Sequence, residues 1–143
     1  GGSGDDLIVG GSGRDLLIGG TGADRIFGHT SDDILIAGDT AFDYDANRRL
    51  KASHAQSLFD VMAEWTSDRD YEIRVANLSN GSGSNDRQNG STFLNSDTIS
   101  DDDDKDLLTG SAGSDWFFFN PSQDRATDLK DEIFANNLDF LLS

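Results

Sequence analysis

Aspartate recurs at every ninth position near the start of the chain, at Asp6, Asp15, Asp24 and Asp33. Each aspartate follows a glycine-rich stretch and precedes a short apolar run. Such carboxylates could bind cations, or they could only accept hydrogen bonds from turn amides, as aspartate often does. Like charges that stack without a Lys or Arg between them repel unless a cation lies there. The spacing therefore favours cation binding over a purely structural role.

The residues between these aspartates predict a turn followed by a strand. Written in nines, the first three repeats read GGSGDDLIV, GGSGRDLLI and GGTGADRIF, and the fourth is the degraded GHTSDDILI. Glycine adopts the positive φ angles of a tight turn, and three apolar residues suit a short strand. Side chains alternate along a strand, so the eighth position of each repeat points inward. These inward residues are Ile8, Leu17, Ile26 and Leu35.

Two repeats make one coil of a flattened solenoid, which places turns two repeats apart on the same side. Asp6 then lies over Asp24, and Asp15 over Asp33, with carbonyl oxygens of both turns facing the gap. Six to eight oxygen ligands at about 2.3 to 2.6 Å are what Ca²⁺ takes, whereas Mg²⁺ demands a smaller octahedron. The sequence therefore predicts several Ca²⁺ ions. The predicted calcium ligands are Gly1, Ser3, Asp6, Gly10, Gly11, Ser12, Gly13, Asp15, Gly19, Gly20, Thr21, Gly22, Asp24, Asp33, Asp39, Asp97 and Asp115.

The nonapeptide resembles the GGxGxDxUx repeat of the RTX family (repeats-in-toxin, hemolysin-type calcium-binding), a parallel β-helix repeat. Three consecutive matches at residues 1–27 carry the resemblance. A further likeness, from Ala63-Glu-Trp-Thr66 to Asp115-Trp-Phe-Phe118, is to a C-terminal module of very large bacterial RTX exoproteins. The resemblance implies a mainly β fold, a calcium-bound parallel β-roll, here with a helical insertion and a C-terminal aromatic and helical cap.

The repeat breaks after Ile36. Ala37-Gly-Asp39 looks like the start of a fifth turn, so Asp39 or Asp43 could close the stack above Asp24. In the fourth repeat, we interpret His29 as a tolerated turn residue rather than a ligand. The site that uses this turn could be weaker or differently coordinated.

Residues 37–96 predict a helical insertion packed on the roll. Apolar residues at three- and four-residue steps predict a helix over 44–66, and a second helix over 68–79 ends at a C-cap signal, Asn80-Gly81. Residues 81–91 predict an exposed loop. The inward face of the first helix is predicted to carry Ala55, Leu58, Phe59, Met62 and Trp65.

The nine-residue spacing returns at Asp97, Asp106 and Asp115, which predicts three more strands. These strands are expected at 98–100, 107–109 and 116–118. The turn before Asp106, residues 101–105, reads DDDDK and lacks glycine, so its backbone is not expected to copy the standard turn. This acidic run either binds an extra cation or forms a solvated surface.

The last segment, 119–143, predicts a cap. Ser122 or Asp124 can begin a helix that ends near Asn136, and Asp139-Phe-Leu-Leu142 is similar to RTX secretion signals, although an ordinary cap segment explains it equally well. The outward positions of the first repeats are apolar, and we expect the insertion and the cap to cover them. These outward residues are Val9, Leu16, Ile18, Phe27, Ile34 and Ile36.

Composition limits the function further. The 143 residues include 27 acidic and 11 basic ones, for a net charge of -16, which disfavours nucleic-acid binding. No apolar run approaches a membrane span, and the absence of cysteine removes disulfides and thiolate metal sites. Aspartate outnumbers glutamate by 24 to 3, which points to turns rather than to helical surface charge.

The favoured hypothesis is one cooperative domain made of the repeats 1–36, the insertion 37–96, the returning coils 97–118 and the cap. The RTX resemblance implies a secreted or cell-surface bacterial domain that binds calcium and folds on it outside the cell. It also implies export through type I secretion and attachment to the N-terminal remainder of a larger polypeptide, whose further repeats would cover the first coil.

Two other functions compete with this hypothesis. An adhesive or ligand-binding module would use the insertion as a recognition surface, which solvent-exposed rings of Trp65 or Tyr71 would favour. An enzyme is not expected, because His29 and His54 lie in unrelated contexts and no GxSxG or HExxH motif occurs.

Overall fold

A computed structural model describes residues 1–42 and 52–129, which form mainly strands together with two helices. The chain divides into two compact units. The strand unit consists of Gly1–Thr40 and Ile99–Ser143, and the helical unit is Ala41–Thr98.

The described part of the strand unit is built from short strands that alternate with glycine-rich turns. Those before the helical unit are β1 (Gly2–Ser3), β2 (Leu7–Ser12), β3 (Leu16–Ile18), β4 (Gly20–Thr21), β5 (Arg25–Thr30), β6 (Ile34–Ile36) and β7 (Asp39–Thr40). Those after it are β8 (Ile99–Ser100), β9 (Leu107–Ala112), β10 (Trp116–Phe118) and β11 (Arg125–Ala126).

Two larger parallel sheets result from this alternation, and β1 pairs parallel with β4 in a third sheet of two strands. One sheet has the order β11-β9-β5-β2 and the other β10-β6-β3, so each strand pairs with the strand two repeats away. Leu7 pairs with Arg25, eighteen positions later, as the two-repeat coil predicts. On the other side of β5, Arg25 pairs with Leu107 of β9. These two strands are therefore parallel neighbours, although the helical unit lies between them in the sequence.

The inward ladder predicted from the period forms the core of the strand unit. Leu17 and Leu35 from one sheet join Ile26 and Leu108 from the other in one cluster of buried side chains, and Phe117 and Phe119 extend it. Ile8 packs against this cluster and is partly buried. The outward positions differ between the sheets: Ile34 and Ile36 are fully buried, whereas Val9 is 53% exposed. The expectation that the outward residues are covered is therefore wrong for Val9.

The predicted strand at 98–100 does not add a parallel coil. β8 instead pairs antiparallel with β7, with Thr40 opposite Ile99. The Ala41 N–H donates to the Thr98 carbonyl at 2.7 Å, so the two ends of the helical unit meet. Because the chain enters and leaves that unit side by side, the flanking segments run in opposite directions.

The predicted start of a C-terminal helix at Ser122 or Asp124 is also wrong. Residues 121–123 form a turn, and β11 pairs parallel with β9, so the repeat continues for one more strand. Leu129 packs against the core cluster. The rest of the predicted helix lies outside the described residues.

The helical unit contains α1 (Ala52–Trp65) and α2 (Tyr71–Asn80). Gly81 ends α2 in a left-handed conformation with φ 78°, which confirms the predicted C-cap. The predicted helix over 44–51 falls outside the described residues. Neither helix is long and apolar enough to cross a membrane, and the same holds for every helix among residues 1–42 and 52–129.

The predicted inward face of α1 is confirmed at Trp65 and is wrong at Phe59, while Ala55, Leu58 and Met62 are half-buried. Val61, Glu64 and Trp65 are buried, whereas Phe59 is 70% exposed. The segment 81–91 contains no helix or strand, yet Asn89 within it is fully buried and donates to the carbonyls of Asn77 and Thr92. The predicted exposed loop is therefore partly folded back onto its own unit.

Candidate metal centre

The sixth-position aspartates form two ladders along the edges of the sheets. In each ladder, the main-chain N–H of one aspartate donates to Oδ1 of the aspartate in the next coil. The long ladder is Asp6 to Asp24 at 2.8 Å, Asp24 to Asp106 at 2.7 Å and Asp106 to Asp124 at 3.0 Å. The short ladder is Asp15 to Asp33 at 2.8 Å and Asp33 to Asp115 at 2.7 Å.

This geometry explains why the ladder positions carry aspartate rather than glutamate. Each ladder residue lies between a turn and the strand that follows it, and neighbouring strands are about 4.8 Å apart. The single methylene of aspartate places the carboxylate within hydrogen-bond distance of the amide in the adjacent coil. The second methylene of glutamate would place the carboxylate beyond that amide. The use of aspartate at the ladder positions therefore reflects the distance between coils.

In five of the ladder aspartates, the other carboxylate oxygen has no protein partner. Oδ2 is buried without a hydrogen bond in Asp6, Asp15, Asp24, Asp33 and Asp106. An unpaired buried charge costs several kcal/mol. Such an oxygen therefore calls for a cation or a proton.

Burial changes the proton affinity of these carboxyl groups. It raises the pKa of Asp33 to about 7 and the pKa of Asp106 to about 7, and the amide hydrogen bonds within the ladders oppose the shift. Burial also raises the pKa of Asp24 and raises the pKa of Asp115 to about 6. Neighbouring aspartates raise these pKa values further, so the ladders hold mutually repelling charges.

The first glycine of each repeat leaves room for this second oxygen. A Cβ at Gly10 would lie 2.6 Å from Asp15 Oδ2 and 2.8 Å from the carbonyl oxygen of Gly28. Oδ2 of Asp15 and the carbonyl oxygen of Gly28, from the next coil, thus both lie close to the Cα of Gly10. Any larger residue at this position would displace oxygens that could bind a metal ion.

The degraded fourth turn keeps the standard backbone. His29 and Ser31 have φ of 94° and 76°, in the region that Gly11 and Gly13 occupy in the second turn. Such angles cost a non-glycine residue roughly 1 to 2 kcal/mol. His29 is exposed, in keeping with its interpretation as a turn residue.

The acidic turn 101–105 departs from that backbone, as its lack of glycine predicts, because only Asp103 has a positive φ there. Asp102 Oδ2 accepts a hydrogen bond from the Gly22 N–H at 2.7 Å. In the preceding coil, the equivalent Gly4 N–H donates to a main-chain carbonyl. Asp103 and Asp104 are exposed to solvent. The Asp102 side chain, in contrast, takes the place of the main-chain carbonyl that accepts this hydrogen bond in the other coil.

The predicted turn ligands lie beside the ladders, but two predicted aspartates do not. The turns of the first and third repeats are joined through β1 and β4, with Gly2 opposite Gly20. Asp39 lies in β7 opposite Ser100, and Asp106 rather than Asp39 follows Asp24, so the predicted closure by Asp39 is wrong. Asp43 lies outside the described residues. The turn ligands placed beside the ladders are Gly1, Ser3, Gly10, Gly11, Ser12, Gly13, Gly19, Gly20, Thr21 and Gly22.

Asp97 lies in the helical unit and is exposed, and its N–H donates to Asn95 Oδ1. It stands before the antiparallel strand β8, so the structure does not bring it into either ladder. Asp106 and Asp124 are ladder members that the ligand prediction missed. The signal was present, because the nine-residue spacing runs on from Asp97 through Asp115 to Asp124.

The ladders supply carboxylates singly rather than in clusters. Across the residues that the structure describes, no group of three or more His, Asp or Glu side chains is arranged to hold a metal ion. A cavity of about 510 Å³ opens along the long ladder, between Asp6, Asp24 and Asp106, with Arg25 and Lys105 among its lining residues. A cation there must combine individual carboxylates with carbonyl oxygens of the turns, which is the donor set that Ca²⁺ accepts.

Parallel strands, glycine turns and aspartate ladders together define a repetitive β-protein whose turns offer oxygen ligands. The family model of the RTX calcium-binding nonapeptide repeat matches the chain in 4 copies, at residues 1–35 and 92–125. These two segments therefore carry the RTX calcium-binding repeat, whose nonapeptides bind Ca²⁺. No curated protein and no solved structure matches the chain.

Proposed function

We propose that this chain is a calcium-ion-binding RTX domain whose strand unit becomes a calcium-bound parallel β-roll when the ion arrives. The observation that carries the proposal is the row of buried Oδ2 atoms without partners in Asp6, Asp15, Asp24, Asp33 and Asp106. A cation neutralises these charges where the protein itself supplies no donor.

Calcium suits the site better than magnesium does. The oxygens come from a rigid backbone that repeats every coil and from short side chains that are tied to neighbouring amides. Ca²⁺ accepts six to eight such oxygens in flexible geometry, whereas Mg²⁺ requires a near-ideal octahedron and keeps its waters. Bound calcium would also supply the electrostatic cross-link between coils that otherwise repel.

The free energy involved is large for a small domain. Each site filled at 100 times its dissociation constant stabilises the folded state by about 2.7 kcal/mol. Two to four such sites reach the roughly 5 to 15 kcal/mol of a typical domain. Calcium binding and folding of the strand unit would then be one process.

The proposed setting is outside the cell, where the domain would cap a larger protein exported by type I secretion. The net charge of -16 supports this, because it opposes folding wherever calcium is scarce. Phe117 and Phe119 are buried in the core cluster, and Leu129 packs against this cluster, as a terminal cap requires. The proposed secretion signal, Asp139-Phe-Leu-Leu142, lies outside the described residues.

The adhesive alternative receives less support. Trp65 is fully buried and Tyr71 is nearly so, and the Arg74 guanidinium lies 4.6 Å from the centre of the Trp65 ring. These rings are engaged within the helical unit, which weighs against a ligand surface built from them. The RTX repeat itself is a calcium-binding rather than a catalytic element.

Far-ultraviolet circular dichroism of the full chain tests the proposal. In excess chelator, we expect most of the strand signal to be absent, and calcium, but not equimolar magnesium, to restore it. A spectrum in chelator that matches the spectrum in calcium would overturn the proposal.

A further inference from the structure

The last turn of the long ladder is unlike the others. Asp124 accepts hydrogen bonds on both carboxylate oxygens, from the Asp106 N–H to Oδ1 at 3.0 Å and from the Asn120 N–H to Oδ2 at 2.8 Å. In Asp6, Asp24 and Asp106 the corresponding Oδ2 is buried and has no partner. Oδ2 of Asp124 therefore already has a protein donor, whereas Oδ2 of the earlier aspartates in the long ladder has none.

The backbone around Asp124 differs as well. Standard turns of this chain place two residues at positive φ, as at Gly20 and Gly22, whereas no residue from 119 to 124 has a positive φ. This turn reads Phe119-Asn-Pro-Ser-Gln123 and contains no glycine. Its carbonyls do not repeat the arrangement that lies beside the other ladder aspartates.

Asn120 organises this turn through side-chain bonds. Its Oδ1 accepts from the Ser122 N–H at 3.1 Å, and its main-chain carbonyl accepts from the N–H groups of Gln123 and Asp124. Its Nδ2 donates to Asp101 Oδ2, in the turn of the preceding coil. A network of protein donors thus surrounds the final carboxylate and ties it to the neighbouring coil.

We propose that Asp124 closes the long ladder without a metal ion, with the Asn120 amide taking the place that calcium holds beside Asp6, Asp24 and Asp106. This inference rests on the proposed calcium function and assigns where the row of ions ends. The family repeat continues through Asp124, but its ion-binding role stops one coil earlier. The end of the array is then formed by protein hydrogen bonds, so no half-coordinated ion faces solvent.

Calcium stoichiometry in the full chain tests this assignment. In Asp124→Asn, an amide NH₂ must face either the Asp106 N–H or the Asn120 N–H, so one acceptor is lost. We expect isothermal titration to find the same number of Ca²⁺ ions per chain as in the wild type. The unfolding midpoint in saturating calcium should fall by about 4 °C.

Asp106→Asn is the matched control, since it changes the same residue type one coil earlier and should bind at least one ion fewer. If Asp124→Asn does not fold in calcium, Asp124→Ser, whose hydroxyl can accept from either amide, replaces it. Loss of an ion in the Asp124 variant that folds would overturn the inference and leave the proposed function intact. A wild-type chain that binds no calcium would instead refute the proposed function itself.

Discussion

The two units of this chain bury carboxylates in different ways. In the helical unit, Glu64 is fully buried, and Asn77 Nδ2 donates to its Oε1 at 2.7 Å while the Gln88 N–H donates to its Oε2 at 2.7 Å. Arg69 Nη1 lies 3.4 Å from the same Oε2 and supplies a positive charge. In the strand unit, Oδ1 of Asp24, Asp33 and Asp106 accepts a main-chain N–H, whereas Oδ2 of each is buried without a donor. The helical unit contains the donors that pair with its buried Glu64 carboxylate. The strand unit has no such donors for its buried Oδ2 atoms and requires a cation from solution.

The buried cation of the helical unit follows the same principle. Arg74 is buried, donates to the carbonyls of Arg69 and Trp65, and stacks on the rings of Trp65 and Tyr71. Buried polar groups that are fully paired stabilise a unique packing. We therefore expect the helical unit to fold without calcium, whereas the strand unit requires the ion.

The largest expected effect is a separation of the two units on calcium removal. The chain has two tryptophans, Trp65 in the helical unit and Trp116 in the strand unit, and both are fully buried. Trp65→Phe leaves only the strand reporter, and Trp116→Phe leaves only the helical one. In excess chelator, Trp116 emission should shift to the red, as in an unfolded chain, while Trp65 emission stays blue. If both reporters shifted at the same calcium concentration, the two units would form one cooperative unit.

A substitution in the helical unit should reverse that pattern. Glu64→Gln places an NH₂ group against donors that need an acceptor, and breaking a buried charged pair costs about 3 to 5 kcal/mol. We expect the Trp65 reporter to unfold at a lower denaturant concentration, with the calcium stoichiometry unchanged. Glu72→Gln, on the exposed face of α2, is the control and should leave both quantities unchanged. Loss of calcium sites in Glu64→Gln would show that the units are coupled.

Within the strand unit, the position of an aspartate should affect calcium affinity more than the loss of its charge does. Asp24 is 1% exposed and lies between Asp6 and Asp106 in the long ladder, whereas Asp103 is exposed in the acidic turn. Asp24→Asn should weaken calcium binding at least about tenfold, equivalent to about 1.4 kcal/mol. Asp103→Asn removes the same charge and suits the left-handed backbone there, so its effect should be under about twofold. Equal losses in isothermal titration would mean that diffuse charge holds the ion.

The smallest effect concerns pH. The pKa values of Asp33 and Asp106, about 7, lie above the unfolded value of about 3.9. Without calcium, protonation therefore stabilises the folded strand unit: the gain is fully present below about pH 4 and is lost as pH rises through 7. Protons compete with calcium for the same oxygens, so calcium affinity should fall between pH 8 and pH 6. Titrations at both pH values, with the Trp65 emission as internal reference, test this, and an affinity independent of pH would contradict it.

Those parts of the fold that depend on the period alone could be predicted from the sequence. The inward ladder of Leu17, Ile26 and Leu35 and the pairing of strands eighteen residues apart follow directly from a nine-residue repeat. The same period predicts that Asp6 lies over Asp24, and the hydrogen bond from the Asp6 N–H to Asp24 Oδ1 confirms it. The nine-residue period predicts strand pairing and the inward residues well because it applies to every coil in the same way.

Errors arose where tertiary contacts overrode local pattern. The Ser122 segment has helix-start residues, yet the spacing to Asp124 continues the repeat and its strand pairs with β9. In α1, the helical period predicts the burial of Trp65 but not that of Glu64, because the partners of Glu64, Asn77 and Gln88, follow from no helical period. Asp97 keeps the spacing, but the chain reverses direction after it and joins β7.

The contact between Ala41 and Thr98 also bears on the entropy of assembly. Ladder neighbours are normally 18 residues apart, but Asp24 and Asp106 are separated by 82, and closing the longer loop costs about 1.3 kcal/mol more. A helical unit that folds first, with its two ends tied together, removes most of that extra cost. The strands on either side can then pair as quickly as if the intervening residues were absent, so the length of the insertion has little effect on the speed of folding.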